Sequence, residues 1–363
     1  DTGRTQALIA EDVRDPKVRV AAIGPAGENR VRYACVVNAL KHTNGRGGMG
    51  AVMGSKNLKA VAVRGTGAPQ VKDKEALKRL ITWYAEHFMD HPIERVLHDG
   101  GTIGWDVTEL DEAGILPTRN FRSGSFERAA DICGETFHQR YFVEAGGCHG
   151  CVVRCKRTAR SEGPWKVDPA YGGPEYETAG AFGSLCGVAD LEAICKAHEL
   201  CNRYTLDTIS TGATIAWAME CFENGLLTAK DTDGLELRFG NAVAMMACIE
   251  KIARREGVGD LLAEGSLRAA RRVGGGAERF AMQVKGQEMA MHEPRGKGSL
   301  ALAYALSSTG ANHTEGPHDY LFQPGALGVG DLAEIGLLTA VPALDLNPDK
   351  VRQFTAMQYT WNL

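Results

Sequence analysis

The hydrophobic and polar positions from residue 71 onward repeat with the period of an α-helix. One face of the first such segment, residues 71–88, carries Ala76, Leu77, Leu80, Ile81 and Tyr84, spaced three and four residues apart. The same pattern predicts further amphipathic helices over residues 189–204, 207–225, 240–256 and 258–273. Three of these stretches are followed by glycines at positions typical of a helix end: Gly225, Gly257 and Gly274.

The pattern is different before residue 70. Residues 17–66 contain short apolar runs typical of β-strands, "VRVAAIG" and "KAVAVRG", around a glycine-rich turn. The linker "RGTGAPQ", residues 64–70, separates this part from the helical body. A second boundary lies near residue 280, where "FAMQVKGQEMAMHEPRG" breaks the helical period. We therefore expect an α+β protein with a β-containing start and a mainly helical body.

The composition of the chain limits its possible binding partners and its cellular compartment. The 363-residue chain is 44% hydrophobic and 24% charged, as in ordinary globular proteins. A net charge of -4 without a basic stripe indicates neither a nucleic-acid nor a membrane partner, and no apolar run is long enough to span a bilayer. Most of the ten cysteines stand singly in apolar contexts, which predicts a reducing, cytoplasmic location. Because the chain begins at Asp1 and stops at "QYTWNL", we expect a fragment of a longer protein.

Three of the cysteines, Cys148, Cys151 and Cys155, cluster in "CHGCVVRC". On a helix their thiols would share one face, and in a loop they can still converge on one metal centre. The cluster is compatible with a [4Fe–4S] centre, which takes four thiolates, with a structural zinc site, or with three idle thiols. The lack of a second C-x-x-C pair favours iron–sulfur over zinc. By proximity, Cys133 and Cys186 are candidates for a fourth ligand, unless that ligand lies beyond the C-terminal residue.

The glycine-rich segment "NGRGGMGAVMGSKN" resembles a nucleotide-binding loop. Gly45, Gly47 and Gly50 satisfy G-x-G-x-x-G, but the preceding strand and the later acidic residue of a dinucleotide site are missing. The G-K-[ST] order of a P-loop is also missing. Free backbone N–H groups flanked by Arg46 and Lys56 suit a phosphate or pyrophosphate. A tight turn joining two strands explains the composition equally well.

Acidic residues and histidines gather in two further segments. "GGPEYETAGAFGS" contains Glu175 and Glu177 before an apolar helix, where carboxylates also act as helix N-terminal charges. "STGANHTEGPHDY" holds His313 and His318 in a glycine-broken loop, and residues 292–298 bring His, Glu, Arg and Lys together. No pair among these residues has the spacing of H-E-x-x-H, so each signal is weak by itself.

A series of segments, taken in order, resembles the tungsten-dependent aldehyde:ferredoxin oxidoreductase family. These are "AIGPAGENRVRYA", "GRGGMGAVMGSKNLKAVAV", "CHGCVVRC", "GPEYET", "CNRYTLDTISTG", "LLAEGS" and "LALAYALSSTGANH". The resemblance covers nearly the whole chain and implies a three-domain subunit. Residues 1–68 would be the C-terminal part of a β-rich base domain, residues 69–280 a mainly helical domain, and residues 281–363 the truncated start of a second helical domain. The cofactor would lie enclosed between these domains.

The resemblance also implies the cofactors. They are a bis-pterin group of the molybdopterin type carrying tungsten or molybdenum, a [4Fe–4S] cluster, and magnesium bridging the pterin phosphates. Cys148, Cys151 and Cys155 would be cluster ligands within the second domain, and the fourth would belong to a later D-x-x-G-L-C motif.

The family's first pterin motif, D-x-x-G-L-D, is "NRYTLD" in this chain. Asn202 replaces the first Asp and Thr205 replaces the Gly, whereas Leu206 and Asp207 match the motif. Asp207 can accept hydrogen bonds from pterin N–H groups, and Asn202 offers an oxygen without a charge. The other cofactor contacts that the resemblance implies come from the glycine-rich segment: Arg46, Gly47 and Gly48.

The activity implied by the resemblance is the oxidation of an aldehyde to a carboxylic acid, with electrons passed through the cluster to ferredoxin. His313 would hydrogen-bond the carbonyl oxygen, and either Glu175 or Glu177 would take a proton from the attacking water. Ferredoxin and a small aldehyde are the implied partners, in a homodimer or a larger complex.

Three other functions stay open. The first is the tungsten–pterin subunit of an aromatic acyl-CoA ring reductase, because "AMHEPRGKG" departs from the aldehyde oxidoreductase pattern. The second is a non-catalytic iron–sulfur electron-transfer subunit, and the third is a zinc-stapled structural domain.

Metal analysis separates these classes. We expect the intact protein, prepared without oxygen, to contain iron, sulfide, pterin and tungsten or molybdenum, measured by mass spectrometry and visible absorption. An electron-transfer subunit would contain iron and sulfide without pterin, and a zinc-stapled domain would be colourless. Iron-free, colourless protein would contradict the cluster assignment.

Overall fold

The computed structural model describes residues 1–104, 106–337 and 339–361. Helices make up most of its regular structure: α1 (Thr2–Asp12), α2 (Pro25–Glu28), α3 (Met49–Ser55), α4 (Lys74–His87), α5 (Pro92–Gly100), α6 (Asp106–Glu112), α7 (Gly134–Arg140), α8 (Tyr176–Ala179), α9 (Leu191–Tyr204), α10 (Thr208–Glu223), α11 (Ala242–Arg254), α12 (Val258–Leu262), α13 (Ser266–Val273), α14 (Gly298–Leu306), α15 (Asp319–Phe322), α16 (Val329–Glu334) and α17 (Pro348–Trp361). The strands are short: β1 (Arg19–Ala22), β2 (Val37–Asn38), β3 (His42–Thr43), β4 (Ala60–Val63), β5 (Phe142–Gly146), β6 (Lys156–Ala159), β7 (Gln283–Val284) and β8 (Gln287–Glu288).

The first four strands form an antiparallel sheet in the order β3-β2-β1-β4. Ala21 is central in its register, opposite Val61 on one side and Asn38 on the other. The two apolar runs predicted as strands are therefore confirmed as β1 and β4. The glycine-rich segment leads from β3 into α3, so it does not join two strands directly.

Helices form at four of the predicted segments, as α4, α9, α10 and α11. Helix α10 is buried on nearly every side rather than amphipathic. Helix α4 nevertheless has no buried residue among those the structure describes. Leu80, Ile81 and Tyr84 are 60%, 58% and 38% exposed, although their spacing predicts a covered face.

The stretch 258–273, predicted as one helix, is two helices. It breaks between α12 and α13 at Gly265, whose φ of 81° lies in the left-handed region that a continuous helix excludes. Helix α11 ends at Arg255 in a left-handed conformation, so Gly257 begins α12 rather than ending α11. Gly274 ends α13 as predicted. Residue type alone does not reveal a left-handed arginine, which is why the Gly257 prediction was wrong.

The corner between α9 and α10 is built by the "NRYTLD" residues. Asp190 caps the start of α9, with its side chain accepting from the Ala193 N–H, and Thr205, with φ of 65°, caps its end. Asp207 then begins α10, and its Oδ1 accepts from the Ile209 N–H at 3.0 Å. Because α10 is buried along almost its whole length, this corner is fixed inside the protein.

The main hydrophobic core packs the helices against residues 26–34 of the first part of the chain. It extends along the chain from Ala26 to Phe354 and includes the fully buried Tyr176, Phe182 and Trp217. Phe322, Leu332 and Met357 form a second, smaller cluster. None of the helices in the described residues combines the length and apolarity that crossing a lipid bilayer requires. The chain is an α+β protein, as expected.

A fully buried ion pair attaches α17 to the rest of the fold. Lys350 Nζ lies 2.6 Å from Asp319 Oδ1, and both side chains are 0% exposed. Asp319 Oδ2 accepts from the backbone N–H groups of Ser299 and Leu300, at the start of α14. One carboxylate therefore ties α14, α15 and α17 together.

Removing the Lys350 cation should be strongly destabilising, because Asp319 would stay buried without its counter-charge. We expect Lys350→Met to lower the free energy of unfolding by about 3–5 kcal/mol, measured by urea denaturation. Arg352→Met is the matched control on the same helix, because its pair with Asp349 is largely exposed. The control should cost less than about 1 kcal/mol, and equal losses in both variants would contradict the prediction.

Candidate functional site

A cleft of about 260 Å³ lies between the glycine-rich segment, the α9–α10 corner and the loop that follows α14. It brings together most of the site residues predicted from the sequence: Arg46, Glu175, Glu177, Asn202, Leu206, Asp207 and His313. Gly47 and Gly48 line two other hollows, of about 630 and 260 Å³, and the smaller of these shares Asp207 with the cleft. Apart from the three cysteines, the predicted site residues thus surround one region of the molecule.

Arg46 connects the walls of this region. Its Nε donates to Asp207 Oδ2 at 2.7 Å, and its terminal nitrogens donate to Ser210 Oγ at 3.0 Å and to the carbonyls of Glu288 and Ala311 at 2.9 and 3.1 Å. The side chain is 15% exposed. Burial lowers the Arg46 pKa, but the neighbouring Asp207 carboxylate outweighs burial and raises it. The guanidinium is therefore a fixed positive charge between the glycine-rich segment and the helical body.

The backbone that carries Arg46 depends on glycine. Gly45, Gly47 and Gly48 have φ values of 81°, 95° and 78°, in the left-handed region. A Cβ at Gly48 would lie 2.1 Å from the carbonyl oxygen of Arg32, so a larger residue does not fit there. The three glycines thus bend the chain so that Arg46 points inward.

Glu177 lies beside two histidines. Its Oε2 accepts from the Met291 N–H at 2.9 Å, which fixes one edge of the carboxylate. Its Oε1 lies 3.0 Å from His292 Nε2 and 3.5 Å from His313 Nε2. Neither contact is aligned as a hydrogen bond, so Oε1 is buried without a hydrogen-bond partner among the described residues. Glu177, His292 and His313 each offer one ligand atom within 4.8 Å of the others.

Glu175 belongs to a different part of the cleft. It forms an ion pair with Lys156, in the first position of β6, and Thr102 Oγ1 donates to it at 3.4 Å. Burial lowers the pKa of Lys156, but Glu175 outweighs burial and raises it. Sequence alone left Glu175 and Glu177 as equivalent candidates, and the fold brings Glu177 to the histidines and Glu175 to Lys156.

The histidines of this region are held neutral. Burial lowers the pKa of His292 and His318 well below the ordinary value, and it also lowers the pKa of His313. Nearby Lys297 adds to the effect on His292, whereas Glu177 partly opposes it on His313. Near neutral pH these rings therefore act as neutral donors and acceptors.

Asn202 is paired with a histidine that the sequence patterns did not indicate. Its Nδ2 donates to the Tyr171 carbonyl at 2.9 Å and lies 3.0 Å from His198 Nε2. Burial lowers the pKa of His198 to about 4. Leu206 is buried and forms an isolated β-bridge with Ala34. The motif thus anchors the helix corner to the first part of the chain.

The cysteine cluster occupies the loop between β5 and β6. Cys148 and Cys151 are exposed, and Cys155 is half-buried. The Cys151 N–H donates to the Cys148 carbonyl at 3.2 Å, and the loop is not helical. Burial, followed by the charge of Glu175, raises the pKa of Cys155. A cation or cluster would offset that cost by stabilising the thiolates.

Both nearby cysteines proposed as a fourth ligand are buried and donate to backbone carbonyls. Cys133 is buried, and its Sγ donates to the Ala130 carbonyl at 3.2 Å. Cys186 is also buried, and its Sγ donates to the Ala181 carbonyl at 3.3 Å. Both thiols are occupied within the core.

The chemistry of the cleft fits a polar heterocycle that carries phosphate. Three residues of the cleft have a buried polar atom that lacks a hydrogen-bond partner among the described residues. These atoms are Glu177 Oε1, His198 Nδ1 and His313 Nδ1. Basic side chains that suit phosphate line the same space: Lys41, Lys156 and Arg157. A pterin with its ring N–H groups and phosphate matches both sets.

Comparison with known proteins identifies the family. Residues 1–65 match the family model for the N-terminal domain of aldehyde ferredoxin oxidoreductase, and residues 79–363 match the model for its domains 2 and 3. The chain belongs to the aldehyde ferredoxin oxidoreductase family.

Individual relatives agree with this assignment. The chain is 39% identical over 331 residues to the tungsten-containing aldehyde ferredoxin oxidoreductase of Pyrococcus abyssi, covering 89% of this chain and 52% of that protein. It is 33% identical over 301 residues to the WOR-like subunit of aliphatic sulfonate oxidoreductase from Pyrococcus furiosus, covering 80% and 47%. The chain thus spans about half the length of the curated relatives it matches.

A solved structure shares the fold of this aldehyde ferredoxin oxidoreductase family member. It is the active site complex BamBC of benzoyl coenzyme A reductase in complex with 1,5-dienoyl-CoA. The match has a TM-score of 0.71 and 27% identity, and covers 88% of this chain and 49% of that one.

Several residues of the site were not predicted. His292 and Lys297 lie in the segment "HEPRGKG", where the sequence shows clustered polar residues but no ligand spacing. His198 stands in an ordinary amphipathic helix, and its sequence context gives no signal. The contact of His292 with Glu177 depends on how distant segments pack. His198 and Asn202 lie one turn apart on α9, a spacing that any helix contains many times.

Acid should destabilise this fold, because the unfolded chain protonates its histidines below about pH 6.5, whereas the folded chain keeps the buried ones neutral. For His198, with a folded pKa of about 4, stability is constant above the unfolded pKa and falls as the pH drops toward the folded pKa. The slope is up to about 1.4 kcal/mol per pH unit. Urea denaturation at stepped pH would measure it.

His198→Asn should make this pH dependence shallower. His87→Asn, at an exposed position on α4, is the control and should leave the slope unchanged. Stability that increases on acidification, or an unchanged slope in His198→Asn, would contradict the neutral buried ring.

Proposed function

We propose that this chain forms the pterin- and cluster-binding part of an oxidoreductase that converts aldehydes to carboxylic acids and passes the electrons to ferredoxin. The observation that carries the proposal is Glu177 beside His292 and His313. Glu177 and His313 line the same cleft as Arg46 and Asp207. Membership of the aldehyde ferredoxin oxidoreductase family supports the same activity.

The proposed cofactor is a bis-pterin group with tungsten or molybdenum, held between a base domain, residues 1–68, and the helical domains, residues 69–280 and 281–363. Its contacts would come from residues that line the cleft and the adjoining smaller hollow. These are Arg46, Gly47, Gly48, Asn202, Leu206 and Asp207. Magnesium between the pterin phosphates completes this proposal. When bound, the metal would accept the two electrons that the aldehyde loses.

Proton handling falls to this chain's own side chains. Aldehyde and water give carboxylate, two electrons and three protons. Glu177 Oε1, buried and without a hydrogen-bond partner in the described residues, is suited to take a proton from the attacking water. His313, as a neutral ring, would donate a hydrogen bond to the carbonyl oxygen and make the carbon more electrophilic. Glu175 is less suited to this role, because Lys156 neutralises it.

Electrons would leave through a [4Fe–4S] cluster on Cys148, Cys151 and Cys155. Support comes from the short chain distance between Cys155 and Lys156, which lines the cleft and pairs with Glu175. A cluster on this loop would therefore lie close to the cofactor site. The exposed positions of Cys148 and Cys151 suit exchange with a soluble partner such as ferredoxin.

A second candidate is the ring-reducing subunit of an aromatic acyl-CoA reductase. The structural similarity to the benzoyl coenzyme A reductase complex favours it. Ring reduction consumes electrons and protons, whereas aldehyde oxidation releases them. Aldehyde-dependent reduction of a viologen, compared with viologen-driven reduction of an aromatic acyl-CoA, distinguishes the two.

Loss of the proposed base or donor should slow the reaction without removing the cofactor. We expect Glu177→Gln and His313→Ala to lower kcat for aldehyde oxidation by about 10²- to 10⁴-fold in the anaerobically prepared, metal-loaded protein. The assay is aldehyde-dependent viologen reduction, with tungsten and iron contents measured in parallel.

Glu236→Gln is the control for the charge change, because Glu236 is largely exposed. It should retain full turnover. Normal turnover in His313→Ala, at normal metal content, would exclude the role proposed for that ring.

A further inference from the structure

A completely buried lysine lies behind the Glu177 site. Lys297 is 0% exposed and immediately precedes α14. Its Nζ lies 2.8 Å from His292 Nδ1 and 4.3 Å from the centre of the Tyr320 ring. Burying an ammonium group is costly, so a lysine in this position indicates a specific use of its charge and N–H groups.

The Lys297 contact determines which nitrogen of His292 carries a proton. An ammonium group has three donors and no acceptor, so a charged Lys297 requires the Nδ1 that faces it to accept. A neutral imidazole has one N–H, which must then be on Nε2. Burial supports the neutral ring, since it lowers the pKa of His292 well below the ordinary value.

The opposite nitrogen of the same ring faces Glu177. His292 Nε2 is 3.0 Å from Glu177 Oε1, while the neighbouring Met291 N–H donates to Oε2. Residues 291 and 292 therefore approach both oxygens of the carboxylate. His292 also packs edge-on against His318, with ring centres 4.4 Å apart, which restricts the orientation of its ring.

We propose that Lys297 is a positioning residue whose ammonium group donates to His292 Nδ1, fixes the Nε2–H tautomer, and so directs an N–H at the Glu177 carboxylate. This inference deepens the proposed function and rests on it for the role of Glu177 as the base. It adds a chain of contacts, Lys297 to His292 to Glu177, that approaches the carboxylate at Oε1.

A divalent cation is the rival explanation for the same atoms. Glu177, His292 and His313 present ligand atoms within 4.8 Å of one another, a spacing compatible with two histidines and a carboxylate on one metal. Ligation through His292 Nε2 requires a lone pair there, and the proton would then move to Nδ1, against the Lys297 ammonium. The lysine therefore disfavours a cation and favours the N–H.

Nuclear magnetic resonance of protein labelled with ¹⁵N-histidine tests the tautomer directly. Two-bond ¹H–¹⁵N correlations distinguish a protonated from an unprotonated ring nitrogen, and His292→Gln identifies the His292 signals. We expect an unprotonated Nδ1 and a protonated Nε2 in the unsubstituted protein. A protonated Nδ1 would overturn the proposal.

Variants test whether Lys297 is responsible. Lys297→Met should remove the preference for the Nε2–H form, and Lys297→Arg, which keeps a cationic donor, should restore it. Lys251→Met, which removes a lysine from an ion pair with Asp233, is the control and should leave the His292 signals unchanged. An unaltered Nε2–H form in Lys297→Met would overturn the proposal. If that variant does not fold, the tautomer of the unsubstituted protein decides.

Titration with Co²⁺ tests the rival. Visible bands from a tightly bound Co²⁺ ion that disappear in His292→Gln would overturn the proposal, and their absence supports it.

In the cofactor-loaded protein, Lys297→Met should lower kcat about 10- to 100-fold with little change in KM. Unchanged kcat would overturn the positioning role. The tautomer is measured without any substrate, so absent aldehyde oxidation would refute the proposed function and leave the tautomer result standing.

Discussion

The buried guanidinium of Arg46 is the interaction on which the rest of the site depends. It joins a glycine-rich segment near the start of the chain to Asp207, Ser210 and the carbonyls of Glu288 and Ala311. Removing one partner of such a buried pair leaves an uncompensated charge, which typically costs several kcal/mol. The residues that Arg46 contacts also surround the cleft. The Arg46 hydrogen bonds therefore both stabilise the fold and fix the geometry of the site.

The parts of the fold that depend on local patterns could be predicted from the sequence. Helices α9, α10 and α11 follow from the spacing of their apolar residues, and β1 and β4 from short apolar runs. The break at Gly265 and the left-handed Arg255 could not be predicted, because a glycine or an arginine is also compatible with a continuing helix. The exposed face of α4 also departs from expectation, since periodicity gives a helix its apolar face but does not provide the surface that covers it.

The site divides in the same way. Glu175, Glu177 and His313 were reached through the resemblance to a family, and the sequence could not rank the two glutamates because both stand in one short motif. The fold distinguishes them, because Glu175 precedes α8 and forms an ion pair with Lys156, whereas Glu177 lies within α8. The role of Lys297 was not visible either, since a lysine in a polar segment is normally solvated and its burial appears only when α14 and Tyr320 enclose it.

Charge in the cleft is distributed so that few groups can move a proton. Arg46 and Lys156 are each matched to a carboxylate, and the pKa of each is raised, so both keep their charge. The neighbouring histidines are neutral because burial makes protonation costly. Glu177 remains as the carboxylate with a buried oxygen that lacks a hydrogen-bond partner among the described residues. In the proposed function this division would separate two tasks, because the fixed cations would face the cofactor's phosphates while a separate carboxylate would exchange protons.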